Sequence, residues 1–439
     1  MLDLTESARH VIKYAFLDFL ACCVAGSDTD AARSATTWAL ATSGLTDAQI
    51  AGTQKRASVP LAAFANGVAA HALDFDDVSM RMIHPSATLV PVLLAVGEAR
   101  RLSGLAVMEG YLAGFEVQAR LCREINPEHY ETGWHSTGTV GALGAAMAAC
   151  RLYGADDEEG RWALGIAASS ASGIRRNFGS MVKSFHAGQA ALHGLQAADL
   201  AMLHFTANPS VLEGQNGFLE IFSTLDLVPD LTTAFEALQP YELVESGIAL
   251  KRFACCGAIH SAQDAVLELK ANHMFQPEEV ASIECRVNRM VPNILVHHVT
   301  QDGLEGKFSM EYSLAVCLMD GRAGLAQYSK ERASDPRLVP LMERVKVVVD
   351  ESIPVNLAFF ASVVTIALTD GRVLSTRVDV PHGYPSKPLS EGEVVEKARG
   401  CFAGVLTDDQ ADRLIESVFR LEELDDVSML APLLESSKN

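Results

Sequence analysis

From residue 5 to about 250 the chain is one apolar or amphipathic helix pattern after another, and many of the recurring positions are small. The first pattern covers residues 5–24. Thr5 supplies a cap, Val11, Ala15, Phe16, Phe19, Leu20 and Cys23 recur at helical spacing, and Gly26 offers the stop. Residues 106–123, 139–153, 161–172 and 187–205 have the same character. Gly141, Gly144, Ala145 and Ala148 let neighbouring helices approach closely. Aromatics are only 7% of the 439 residues against 49% hydrophobic, which favours small-residue helix packing over an aromatic-rich sandwich.

The texture changes after about residue 276. Val280-Ala-Ser-Ile-Glu-Cys-Arg-Val287 alternates, and Arg344-Val-Lys-Val-Val-Val349 and Ser362-Val-Val-Thr-Ile-Ala-Leu368 are β-branched. Thr369-Asp-Gly-Arg372 then turns into Val373-Leu-Ser-Thr-Arg-Val-Asp-Val380, a hairpin signal. This predicts a small antiparallel sheet with one or two helices, residues 309–318 among them. From Ser390 helix returns, opened by Ser390-Glu-Gly-Glu393 in capping-box style. The expected fold class is mostly α: a large all-helical domain with an inserted, smaller α+β domain. Its divisions are 1–250, helical; 251–392, α+β; and 393–439, helical again.

A formal net charge of −20 argues against a nucleic-acid partner, which wants a basic face, but leaves room for a local cationic pocket. Nine cysteines without a C-x-x-C pair read as reduced core thiols and speak against iron–sulfur or structural zinc. No uncharged apolar run of about eighteen residues predicts a membrane span. Met-Leu-Asp-Leu-Thr-Glu lacks the features of a secretory signal, so a cytoplasmic location is expected.

The densest chemistry lies in His71-Ala-Leu-Asp-Phe-Asp-Asp77, followed by His84-Pro-Ser86. Asp74, Asp76 and Asp77 join His71 and His84 within fourteen residues, between the apolar stretches 64–70 and 87–95. Charge set that tightly against apolar helix is costly unless paired or used. Helix capping is the plainer explanation, yet a cap needs one Asp rather than three.

Four further clusters are polar in apolar surroundings. Gly133-Trp-His-Ser-Thr-Gly-Thr139 puts His135 at a helix entrance, where amides and dipole favour an anion; a Ser/Thr cap with an incidental histidine is the simpler alternative. The basic stretch 175–188 carries Arg176 and Lys183, suited to carboxylates or equally to a solvated loop. Lys251 and His260 fall where the textures meet, a favoured place for clefts, although a lone histidine is usually structural. Tyr312 opens a short helix, where a core tyrosine with a satisfied hydroxyl is the common case.

Taken in order, the blocks 65–98, 133–151, 173–198, 251–267 and 307–318 resemble the MmgE/PrpD family, which includes 2-methylcitrate dehydratase, cis-aconitate decarboxylase and iminodisuccinate epimerase. The resemblance implies a helical domain carrying the active site, an α+β lid domain over it, and a homodimer. It implies chemistry on a small anionic di- or tricarboxylic acid with neither cofactor nor metal. Catalytic positions carried over from the decarboxylase branch are Asp74, His84, His135, Lys183, His260 and Tyr312. Val78 stands where that branch has threonine, and Ser184 and Ala254 replace usual prolines.

Such reactions move a proton next to a carboxylate or stabilise an equivalent carbanion, which requires a positioned base and cations. His135 or His84 is expected to move the carbon-bound proton, with Asp74 supporting an imidazole and Lys183, Arg176 and Lys251 holding carboxylates. His260 and Tyr312 would complete the site from the lid. Dehydration of a compound such as 2-methylcitrate ranks slightly ahead of decarboxylation or epimerisation. Two rivals are an aspartate-rich magnesium site for diphosphates and a non-catalytic carboxylate-binding protein.

Overall fold

A computed structural model of the protein describes residues 4–223, 231–236, 239–355 and 359–437. Its first part is built from α1 (Glu6–Gly26), α2 (Asp30–Thr42), α3 (Val59–Ala72), α4 (Ser86–Arg100), α5 (Gly104–Ile125), α6 (Ser136–Tyr153), α7 (Asp157–Ser170) and α8 (Val182–Met202). Capping chemistry sets the starts: the Thr5 side chain accepts from Ala8 N–H, and Asp156 and Glu159 form a capping box on α7. A short hairpin, β1 (Ala48–Ile50) and β2 (Lys55–Ala57), joins α2 to α3.

Helix α8 begins five residues before the expected start at 187. The glycine at 188 is therefore not a boundary but a contact point inside the helix. A Cβ there would lie 2.5 Å from Phe64 O and 2.5 Å from Val68 Cγ2, both on α3. Gly188→Ala gains at most ~1 kcal/mol of helix preference but pushes two backbones apart. Overpacking of this kind costs about 1–3 kcal/mol. Urea unfolding is expected to show a lower midpoint for the variant, and an equal or higher one would contradict this account of the α3–α8 contact.

The second part holds α9 (Gly257–Asn272), α10 (Met310–Asp320) and a four-stranded sheet. Its strands are β5 (Val280–Val287), β6 (Val345–Val349), β7 (Ser362–Leu368) and β8 (Val373–Val378), in the order β6-β5-β7-β8. The β7–β8 hairpin forms as predicted, with Gly371 at φ +92° in its turn. The sheet is mixed rather than antiparallel, because β5 and β6 run parallel. The chain between them is long enough to make the crossover that parallel pairing requires, and α10 lies on it. Helix α9 packs against β7, β8 and α10.

Two features tie the parts together. A two-residue ladder pairs β3 (Val78–Ser79) with β4 (Ile248–Ala249). Helix α11 (Glu391–Phe402), opened by the Ser390–Glu393 capping box, returns to pack on α1, and α12 (Asp408–Phe419) follows. Among the described residues, no single helix is long and apolar enough to cross a membrane. All nine cysteines are free thiols.

Candidate active site

Helix α3 ends at Ala72, and the chain reverses through Asp74 at φ +50°, a left-handed conformation that aspartate tolerates better than most residues. The turn delivers three buried carboxylates to three different partners. Asp74 Oδ1 lies 2.6 Å from Lys183 Nζ and 2.7 Å from Lys251 Nζ. Asp76 Oδ2 lies 2.9 Å from His71 Nδ1 and 3.1 Å from His84 Nδ1, the second contact off the hydrogen-bond direction. Asp77 Oδ2 accepts from Ser86 Oγ at 2.8 Å, and that hydroxyl also meets Tyr111 OH. None of the three caps α4, whose first residue follows Pro85 without a side-chain cap.

Burial alone would raise all three carboxyls, and only partners decide otherwise. For Asp74 the ammoniums of Lys183 and Lys251 override burial and hold the group well below the usual range. For Asp76 the His71 and His84 rings do the same. Among the described residues Asp77 has no ion pair; burial, reinforced by Asp18 against the weaker pull of Ser86 and Lys397, pushes it well up. Lys251 would be lowered by burial, but Asp74 keeps it above its ordinary value and charged.

Four imidazoles gather beside this turn. The His71 ring centre is 4.4 Å from that of His84 and 5.8 Å from that of His135, nearly parallel to the latter. His135 Nδ1 lies 3.1 Å from His186 Nδ1. Burial drives His71 and His186 down to about 4 and His135 well below its ordinary value. His84 is lowered by burial too, with Asp76 pulling the other way. The rings are therefore neutral near pH 7, and the fixed positive charge comes from the lysines.

Asp74, His84, His135, Lys183 and Lys251 line one cavity of about 80 Å³. Its apolar walls include Val78, Met82, Phe178, Phe308 and Phe360. The first turn of α9 also faces it at Gly257 and Ala258, adding amide dipole on the side of an anion. His71, Asp74, Asp76 and His84 bring ligand-type atoms within 4.8 Å of one another, the composition of a metal site. Asp74 is paired with two ammoniums, and Asp76 stands between the His71 and His84 rings.

Three expected members lie away from the cavity wall. His260 is one turn into α9, buried edge-on against Phe253, with Nε2 3.3 Å from Cys255 O. Burial lowers it to about 3. Tyr312 is fully buried and donates its hydroxyl to Gln327 O, as a core tyrosine does. Arg176 is exposed on the 3₁₀ turn Arg175–Asn177, while Arg175 turns inward. Arg175 donates from Nη1 to Tyr130 O at 2.5 Å and lies 3.8 Å over the Tyr130 ring, on the cavity wall. Adjacent arginines carry no signal of which one turns in.

His129 braces the turn that leads to His135. Its Nδ1 is 2.6 Å from Phe222 O and its Nε2 2.7 Å from Thr139 Oγ1. Burial lowers it to about 4. An unfolded chain takes up that proton near pH 6.5, so the stability His129 contributes is full above that value and is lost as pH falls toward 4. The stability advantage of the wild type over His129→Gln, read by urea unfolding, should shrink between pH 7.5 and pH 5. An unchanged gap would contradict the buried, neutral ring.

The MmgE/PrpD N-terminal domain matches residues 1–228 and the MmgE/PrpD C-terminal domain matches residues 253–423. A human cis-aconitate decarboxylase is 32% identical over 394 residues, covering 85% of this chain and 79% of the relative. A cis-aconitate decarboxylase of Aspergillus terreus is 26% identical over 465 residues, covering 98% of this chain and 92% of the relative. The two matched domains meet where the buried acidic turn faces α9, and the chain belongs to the MmgE/PrpD family.

Proposed function

We propose that the protein is a carboxy-lyase that removes carbon dioxide from cis-aconitate or a tricarboxylate of the same shape. The observation that carries this reading is the cavity wall itself, where two buried ammoniums on one carboxylate stand beside His84 and its carboxylate partner. The relatives named above are decarboxylases, which moves decarboxylation ahead of the dehydration favoured on sequence grounds.

Loss of carbon dioxide from the CH₂–COO⁻ arm of such a substrate leaves an electron pair on carbon. That pair spreads through the adjoining double bond onto a neighbouring carboxylate, and one proton then returns to carbon. The trianion plus one proton thus gives carbon dioxide and a dianion. Lys183 and Lys251 supply charge where the anion gains electron density, in a site from which water is largely excluded. His84 is the proton donor in this scheme. Asp76 stands 3.1 Å from its Nδ1, and the approaching trianion raises its proton affinity. The apolar wall of Phe308, Phe360 and Val78 suits the uncharged carbon dioxide that must form.

The test offers purified enzyme cis-aconitate and, separately, 2-methylcitrate, and traps released carbon dioxide. Release from cis-aconitate is expected. Water loss from 2-methylcitrate with no carbon dioxide from either compound would replace this reading with a dehydratase.

A further inference from the structure

Three consecutive carbonyls of the catalytic turn are each held by a lysine from a different segment of the C-terminal half, Lys251 and Lys307 buried and Lys397 largely so. Lys307 Nζ donates to Leu73 O. Lys251 Nζ donates to Asp74 O at 2.9 Å. Lys397 Nζ, on α11, donates to Phe75 O at 2.8 Å and lies 3.9 Å over the Phe75 ring. Lys251 also meets the Asp74 carboxylate, so it serves the site directly. Lys397 does not line the catalytic cavity; its charge is matched behind the turn by Asp18 of α1, 2.6 Å away.

The turn needs such an anchorage. Asp74 sits in the left-handed region, and a non-glycine residue stays there only when its surroundings over-determine the backbone. Asp76, whose carboxylate stands between His71 and His84, is the residue directly after Phe75. A shift of the Phe75 carbonyl therefore moves the group that aims His84.

We propose that Lys397 is a positioning residue of the reaction, acting from α11 through the Phe75 carbonyl to set where Asp76 places the His84 ring. It touches neither substrate nor reacting atoms. Its removal should act on turnover rather than on affinity, because Lys183 and Lys251 stay in place for the substrate carboxylates. The kinetic arm rests on the decarboxylase reading; a second arm does not.

Lys397→Met alone strands Asp18 as a buried unpaired charge and risks losing the fold, so the informative variant is Asp18→Asn/Lys397→Met, which removes both charges. In the folded double variant kcat on cis-aconitate is expected to fall about ten- to a hundredfold, the scale of a misplacement near 1 Å. KM should stay within about threefold, and Lys397→Arg, which keeps charge and donors, should recover most of the turnover. Independently of any substrate, the ring ¹⁵N resonances of His71 and His84 in histidine-labelled protein should move in the double variant and stay near wild-type positions in Lys397→Arg. A folded double variant with wild-type kcat, or one in which only KM changes, overturns the proposal. Should the wild type release no carbon dioxide, the decarboxylase reading fails, and ring spectra unmoved in the double variant overturn the positioning role on their own.

Discussion

His84→Ala is expected to lower kcat on cis-aconitate by about a hundredfold to ten-thousandfold, the usual span for losing one acid–base group. Of the four clustered rings, His84 is the one whose side chain keeps some exposure, 12%, while standing 3.1 Å from Asp76. His71 is closed off by Asp76 and the protein interior, and His135 is tied to His186. His84 is thus the ring that both opens to the cavity and has a carboxylate behind it. The loss should fall on kcat with little change in KM, since the carboxylate-binding lysines remain. Folding should be checked by circular dichroism, because the ring is largely buried. A folded variant with turnover within about tenfold of wild type would move the proton-donor role to another group.

Asp74→Asn is expected to destabilise the fold by about 3–5 kcal/mol, the cost of removing one partner from a buried ion pair. The amide leaves the ammoniums of Lys183 and Lys251, both buried, facing each other without a counter-charge. It also weakens the only carboxylate that holds both lysines at the cavity wall among the described residues. The reciprocal change Lys251→Met should be milder, because Lys183 still matches Asp74. Urea unfolding of the two variants checks the order. Equal midpoints would mean that Asp74 is not the hub of this charge cluster.

Residues 71–86 carried most of the site in the sequence because charge placed against apolar helix has few bland explanations. The division of labour among the three aspartates was not legible there. It depends on Lys183 and Lys251, 109 and 177 residues away, choosing Asp74 over its neighbours. His186 lay inside the basic stretch but was hidden by placing the start of α8 too late. Tyr130 and Tyr384 line the cavity from segments with no local pattern to mark them. His260 and Tyr312 lie behind the wall: both are buried and neither lines the cavity in this structure. The mixed sheet was missed because β-branched runs reveal strands, whereas their direction depends on connections that carry no strand signal.

The most direct test of the central claim, that this cavity takes a carboxylate off carbon and returns a proton, is proton NMR of cis-aconitate incubated with enzyme in deuterated water. The predicted result is a product with two carboxylates and one solvent-derived deuterium on carbon. Recovery of a three-carboxylate compound, whether unchanged, hydrated or deuterium-exchanged, would contradict it.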